Sequence, residues 1–262
     1  IYGMQEEDLG FCVEQALREG WNPGLHDMEG FFATDPSGWF KAEDEEGHTI
    51  GCISAVAYDA QFGFIGFFVV VPEHRGGRVG VELGLRALDY LGERVIGQDG
   101  VFDKVPNYET WGFELAYRNL RYEWKDGKIP EATALTVKPY EAERLPAILK
   151  FDAGLFPCRR EVFLERWLAM PEAVVRTVSE GGELAGWGMR RRCVSGHKIG
   201  PLLARDAATA QALLRELLGG VEPKEPVYLD VPEINEEAVA LAESLGMKPC
   251  FGTARMYKNG MP

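Results

Sequence analysis

A glycine-rich, basic loop between an apolar run and a helical pattern is the stretch of this sequence best suited to chemistry. The apolar run, residues 67–71, predicts a buried strand, and Pro72 ends it because proline cannot donate to a strand ladder. The loop 72–80 follows, and from Val81 onward apolar residues recur at helical spacing. The stretch therefore predicts a strand, a loop and a helix in succession.

This loop has the composition of an anion site. Glycines allow backbone N–H groups to approach a phosphate, a helix start supplies about half a positive charge, and Arg75 and Arg78 add full charges. The spacing fits neither the Walker A loop nor the dinucleotide fingerprint. A different phosphate-bearing cofactor is the first hypothesis, and an ordinary strand-to-helix turn is the alternative.

The loop sequence, residues 75–80 (RGGRVG), resembles the pyrophosphate loop [QR]-x-x-G-x-[GA] of the GCN5-related N-acetyltransferase (GNAT) superfamily. The first and last positions match, but Arg78 replaces the central glycine. If that position needs a positive φ, an arginine costs roughly 1–2 kcal/mol, unless Gly77 takes the turn instead.

A second element, residues 106–113, strengthens the resemblance. Tyr108 has the family's spacing to Gly112 and Phe113, although Asn107 is adjacent to it where the family has its asparagine several residues earlier. The resemblance implies an α/β (α+β) fold in which a mixed, mostly antiparallel sheet is flanked by helices.

The resemblance also implies a site and a co-substrate, acetyl-CoA. The central strand would pair with the pantetheine arm, the loop would hold the pyrophosphate, and Tyr108 would protonate the leaving thiolate, since a phenol of pKa about 10 is protonated at neutral pH. The implied cofactor-binding residues are Phe68, Val69, Val70, Arg75, Gly76, Gly77, Arg78, Val79, Gly80, Val81 and Asn107.

The general base is not evident from the sequence. Some family members have a glutamate where this chain has Phe64. Asp27, Glu29, Asp99 and Asp103 are candidate bases, directly or through water, and the first three are candidates for contacting the acceptor. Each is alternatively an ordinary surface carboxylate.

Charge favours a cationic acceptor. Of the 262 residues, the first 125 contain 22 acidic against 10 basic side chains, and they account for nearly all of the net charge of −13. This balance disfavours nucleic-acid binding and favours small amines, because an acidic field concentrates cations. The alternative is that the acids only solvate the surface.

Other features predict a cytoplasmic protein without metal. No apolar run reaches the length of a membrane helix, and the first residues are acidic where a signal peptide is basic. The five cysteines are scattered without C-x-x-C pairs, which favours free thiols in a reducing compartment, and the four histidines share no metal-ligand spacing.

Internal landmarks recur 130 to 135 residues apart, which predicts two tandem copies of the fold. The repeated landmarks are Gly47 and Gly51 with Gly182 and Gly186, Arg75 with Arg205, and Gly112-Phe113 with Gly246-Met247. The predicted domains are 1–125, catalytic, and 131–262, degenerate, packed against each other within the chain.

The second copy has lost the residues for the chemistry. Its loop, residues 205–210 (RDAATA), has alanines in place of glycines, Asp206 would repel a phosphate, and Ala242 replaces the tyrosine. This order resembles a bacterial subgroup in which a GNAT domain precedes a degenerate one. We expect an acetyl-CoA-dependent N-acetyltransferase for a small, cationic amine; the alternative is a non-catalytic acyl-CoA-binding sensor or interaction protein.

Overall fold

The computed structural model describes residues 1–262 and contains two compact units. Unit 1 comprises residues 1–116, 157–167 and 254–262; unit 2 comprises residues 117–156 and 168–253. The units therefore differ from the contiguous halves 1–125 and 131–262 of the prediction, because each contains a segment from the other half of the sequence.

The structure contains twelve strands and eight α-helices, numbered here in chain order. The strands are β1 Tyr2–Gly3, β2 Trp39–Glu43, β3 Thr49–Ala57, β4 Phe62–Val70, β5 Val95–Val101, β6 Glu114–Trp124, β7 Val137–Pro139, β8 Val174–Glu180, β9 Glu183–Arg192, β10 His197–Ala204, β11 Val227–Pro232 and β12 Lys248–Lys258. The helices are α1 Leu9–Arg18, α2 Asp27–Thr34, α3 Val79–Leu91, α4 Val105–Thr110, α5 Leu145–Asp152, α6 Glu161–Leu168, α7 Ala207–Leu218 and α8 Glu236–Ser244.

In unit 1 the sheet has the order β1-β2-β3-β4-β5, with the end of β12 next to β5. Only β4 and β5 are parallel within this order. One face of the sheet packs on α3, where Leu83 and Leu91 are fully buried with Ile53 and Ile65. The other face packs on α1 and α2, since residues of both helices share a core cluster with Val69.

In unit 2 the order is β6-β11-β10-β9-β8-β7, with β10 and β11 parallel. Its core lies against α7, in which Leu213, Leu214 and Leu217 are fully buried. Both units are thus mixed, mostly antiparallel sheets flanked by helices, as predicted.

The segment 114–124 lies within the predicted first domain, 1–125, but most of it belongs to unit 2. It forms one strand of 11 residues, β6, and its residues from Asn119 to Trp124 pair with β11 in unit 2. The equivalent strand β12 supplies Met256 to the unit 1 core, where this side chain is fully buried. The two long strands that follow the repeated glycines are therefore exchanged between the units.

No helix has the length and apolarity needed to cross a membrane. All five cysteines are free thiols.

Candidate active site

The two parallel strands of unit 1 diverge soon after they meet. The last of their four residue pairs joins Ile65 and Gln98, although β4 continues to Val70 and β5 to Val101. Peptide groups beyond this pair therefore border a gap instead of a neighbouring strand. An extended ligand that carries amides can hydrogen-bond to such a strand edge.

A β-bulge lies in β4 where the gap begins. The pairing of β4 with β3 shifts register between Cys52 and Ser54, and Phe67 in the bulge has a φ of 46°. Such a φ is uncommon for a bulky residue, and bulges re-aim the groups of a strand. The residues that follow the bulge and border the gap are Phe68, Val69 and Val70; their contact with pantetheine stays a prediction.

The predicted phosphate loop is a turn between β4 and α3 in which one glycine adopts the left-handed conformation. This glycine is Gly76, with a φ of 78°, and not Gly77. Arg78 has a φ of −79° and a ψ of −20°, an ordinary right-handed conformation. Arg78, which replaces the central glycine of the family's loop, therefore carries no backbone strain.

The start of α3 is not capped by any side chain. The N–H groups of Val79, Gly80 and Val81 belong to the first helical turn and have no acceptor within the helix. The Arg78 side chain is 91% exposed, with its Nε 3.4 Å from a carboxylate oxygen of Glu82. Uncapped N–H groups, the helix dipole and an exposed cation together favour the binding of an anion here.

Arg75 has a structural contact on each side. Its Nε donates to the carbonyl of Val70 at 2.7 Å, and its guanidinium pairs with the carboxylate of Glu19, just after α1. Through these two contacts Arg75 links the loop to β4 and to the end of α1. To contact pyrophosphate as predicted, Arg75 would have to exchange its Glu19 partner for the phosphate.

Tyr108 lies beside the gap, on the β5 side. Its ring packs on Gly100, where a methyl group would lie 2.5 Å from Cε2. Burial, and secondarily the negative charge of Asp103, raise the pKa of Tyr108 to about 12. The hydroxyl is therefore protonated at neutral pH. The neighbouring Asn107 is exposed, and its carbonyl accepts a 2.6 Å hydrogen bond from the Thr110 hydroxyl.

Trp111 fixes the helix that carries Tyr108. Its ring lies against α3 at Gly84, where a methyl group would be 2.0 Å away, and its centroid is 6.2 Å from that of Phe68. Gly112 ends the helix with a φ of 83°, and the next N–H, of Phe113, donates to the Tyr108 carbonyl at 3.2 Å. The tyrosine, the phosphate-loop helix and the bulged strand are thus packed as one assembly.

The three carboxylates predicted to contact the acceptor each have a partner in unit 1. Asp27 is buried and accepts the Gly24 N–H at 3.0 Å. Glu29 lies 3.0 Å from the Nδ1 of His26. Asp99 accepts two hydrogen bonds from one guanidinium, described next. Their role toward an acceptor stays a prediction.

Two features of the site were missed from the sequence. The first is Arg255 of β12, which donates to both oxygens of Asp99 and lies 5.1 Å from the ring centroid of Phe64. Its position depends on the strand exchange. The only available signal was that each repeated glycine, Gly112 and Gly246, precedes a long β-compatible segment.

The second is an aromatic cluster on the face of β4 opposite α3. The Phe31 ring centroid lies 6.5 Å from that of Phe67, 5.2 Å from Phe163 and 5.7 Å from Trp167. Phe31, Phe64 and Phe67 are half-buried, so they present ring surface. No local spacing in the sequence joins these residues.

The corresponding loop of unit 2 is closed to anions. Asp206 caps α7 by accepting the Thr209 N–H at 2.8 Å, and Arg205 pairs with Glu183 at 3.1 Å. Ala242, at the position that corresponds to the tyrosine, is fully buried.

Family models match both halves of the chain. The acetyltransferase (GNAT) family matches residues 5–110, and an acetyltransferase (GNAT) domain matches residues 148–262. The chain therefore belongs to the GNAT superfamily and contains two such domains in tandem.

Similar proteins match nearly the whole chain. Holothin acyltransferase of Pseudoalteromonas sp. (strain SANK 73390) is 26% identical over 256 residues, 98% of this chain and 86% of that protein. A tandem GNAT protein from the clavulanic acid biosynthesis pathway is 15% identical with a TM-score of 0.69, covering 100% of this chain and 98% of that one.

A structure from Pyrococcus horikoshii, whose proposed activity is that of an acetyltransferase, is 19% identical with a TM-score of 0.81, covering 99% of this chain and 89% of that one. The two domain matches and the acyltransferase relative identify this chain as an acyltransferase, which sets aside the non-catalytic alternative.

Proposed function

We propose that unit 1 uses acetyl-CoA to acetylate the amine of a small, cationic acceptor. The observation that carries this proposal is the gap between β4 and β5, which lies between the uncapped start of α3 and the hydroxyl-bearing ring of Tyr108. A phosphate site, a strand edge and a proton donor are three parts that transfer from a CoA thioester would use, and unit 1 contains a candidate for each.

The proposed reaction assigns each group one task. The amine nitrogen forms a bond to the carbonyl carbon, the carbon–sulfur bond breaks, and the sulfur takes up a proton while the nitrogen loses one. N–H groups of the bulged strand would stabilise negative charge on the carbonyl oxygen. The Tyr108 hydroxyl, which is protonated at neutral pH because its pKa is raised to about 12, would give its proton to the leaving sulfur and would be reprotonated by the proton that the amine nitrogen loses.

The acceptor class is proposed from charge and from the aromatic cluster. The excess of acidic residues in the first 125 positions would concentrate cations, and the half-buried rings of Phe31, Phe64 and Phe67 offer surfaces for a cation or for an apolar body. The ring surfaces of Phe31 and Phe67 lie on the face of β4 opposite α3, so an acceptor would contact β4 from that side. The similarity to an acyltransferase named for holothin supports a small-molecule acceptor.

We propose no cofactor site in unit 2, because the Asp206 carboxylate already occupies the start of α7. We also propose a cytoplasmic location, which the five free thiols support.

Calorimetric titration with acetyl-CoA, followed by a thiol-release assay with a panel of amines, tests the proposal. We expect one binding site per chain and release of thiol with at least one small amine. Two sites per chain would contradict the assignment of unit 2, and no binding at millimolar acetyl-CoA would contradict the assignment of unit 1.

A further inference from the structure

A small cavity in unit 2 is lined entirely by cationic and hydroxyl side chains. Its volume is about 280 Å³, near the lower end for small-molecule sites. The lining residues are Thr136, Lys138, Arg144, Thr177 and Ser179. No carboxylate lines this cavity, although acidic residues outnumber basic ones 41 to 28 in the chain.

Strand register places four of these side chains together. Lys138 of β7 lies opposite Thr177 of β8, and the alternate residues Thr136 and Ser179 share the same face of the two strands. The intervening Val137 and Val178 point to the other side and join an apolar cluster with α7. The polar face is therefore a compact group of one ammonium and three hydroxyls.

Arg144 is the fifth lining residue and belongs to a different element from the other four. It precedes α5 directly and takes the N-cap position, where no side chain caps the helix. The positive end of the α5 dipole thus lies next to Arg144. Neither Lys138 nor Arg144 has a carboxylate within ion-pair distance, so both charges face the cavity without a protein counter-ion.

Thr177 is the buried member of the group. It is only 4% exposed, and its hydroxyl donates to the Lys138 carbonyl at 3.5 Å, which is long for an O–H···O hydrogen bond. A ligand oxygen in the cavity would offer this hydroxyl a closer acceptor.

From these observations we infer that the cavity is a binding site for a phosphate-type oxyanion, either the free ion or a small phosphomonoester. Two cations and three hydroxyls offer donors from several directions, which suits a tetrahedral anion with oxygens on all sides. The site lies in the unit whose phosphate loop is closed, so it would bind its ligand independently of acetyl transfer in unit 1.

Titration of the full chain with inorganic phosphate, and in parallel with glycerol phosphate, tests this inference at constant ionic strength set by chloride. Binding can be followed by calorimetry and by ³¹P NMR line width. We expect saturable binding, with the tighter of the two ligands showing whether the free ion or the ester is preferred. Binding no stronger than that of chloride would overturn the inference.

Variants assign the binding to this cavity. Lys138→Gln/Arg144→Gln is expected to weaken phosphate binding about tenfold or more, as for the loss of charge-assisted hydrogen bonds. Thr177→Val, which keeps the shape of the side chain, is expected to weaken it several-fold without disturbing the fold. The charge-matched control Lys125→Gln/Arg166→Gln is expected to bind as the parent does.

Arg78→Gln separates this site from the phosphate loop of unit 1. Phosphate binding that survives Arg78→Gln but is lost in the cavity variants supports the inference. Equal affinity in parent and cavity variants, or binding lost only in Arg78→Gln, would place phosphate elsewhere and contradict it.

Discussion

Arg255 donates a hydrogen bond to each carboxylate oxygen of Asp99, both at 2.7 Å. The partners are far apart in sequence, and Arg255 reaches Asp99 only because β12 lies next to β5. Unit 2 has the same pair: Arg121 of the exchanged β6 donates to both oxygens of Asp230 at 2.7 and 2.9 Å. Each exchanged strand thus brings one arginine to an aspartate near the point where the parallel strands diverge.

Removing each arginine separately distinguishes an effect on the free energy of unfolding from an effect on catalysis. Arg255→Met and Arg121→Met should each lower the free energy of unfolding by about 1–3 kcal/mol, because a carboxylate loses two charge-assisted hydrogen bonds. Since the Asp99 and Asp230 side chains are 32% and 44% exposed, we expect the lower part of that range for both variants. Only Arg255→Met should also slow acetyl transfer, because its partners border the gap. Equal turnover in the two variants, measured beside their thermal melts, would contradict this role.

Tyr108→Phe tests the proposed proton donor. Loss of the hydroxyl should lower kcat about 100-fold and leave the affinity for acetyl-CoA unchanged, because the ring still packs on Gly100. Tyr90→Phe is the control. Tyr90 donates to Asp35 at 2.9 Å and lies at the C-terminal end of α3, away from the loop, so turnover should be retained. A Tyr108→Phe enzyme with parental kcat would leave the tyrosine with a packing role alone.

The raised pKa of Tyr108 predicts the shape of the pH profile. Turnover should rise as the acceptor amine loses its proton and should not fall as pH passes 10, because the pKa of the tyrosine is about 12. The linked stability has a defined sign: a folded-state pKa above the unfolded value of about 10 stabilises the fold below pH 10, and this contribution is lost between pH 10 and 12. A descending limb near pH 10 that disappears in Tyr108→Phe would contradict the shift.

Gly84→Ala tests the packing of Trp111. A methyl group 2.0 Å from the indole ring must displace it, so we expect a loss of about 1–3 kcal/mol in the free energy of unfolding together with lower turnover. The helical Gly10 has nothing within 4 Å of the same position. Gly10→Ala should therefore stabilise the protein by about 0.5–1 kcal/mol, and denaturant titration of both variants checks the contrast.

Gly76→Ala tests where the loop turns. At a φ of 78° alanine costs roughly 1–2 kcal/mol, which we expect to appear as weaker acetyl-CoA binding in calorimetry. Gly77→Ala should bind normally, because its nearest atom would be 3.9 Å away. If Gly77→Ala is the weaker binder, the turn lies where the sequence suggested.

Local spacing was sufficient to predict the turn between β4 and α3 and the two-copy organisation, whereas the roles of the loop and of Tyr108 stay predictions. These features depend on residues within about ten positions, or on landmarks that repeat in order. The pairing of β6 with β11 was not predictable in this way, because a strand's composition does not specify its neighbour. For the same reason Asp99 could be recognised as a carboxylate near the site, but its arginine could not be found from sequence.

The exchange of β12 has a consequence during synthesis. Unit 1 lacks part of its core, including Met256, until residues 254–262 have left the ribosome. At 5–20 residues per second this occurs on the order of ten seconds after Ala116 has been added. The polypeptide that carries the predicted phosphate loop would therefore remain incompletely folded until β12 is available, with an unpaired edge at β5 of the kind that can pair with other chains.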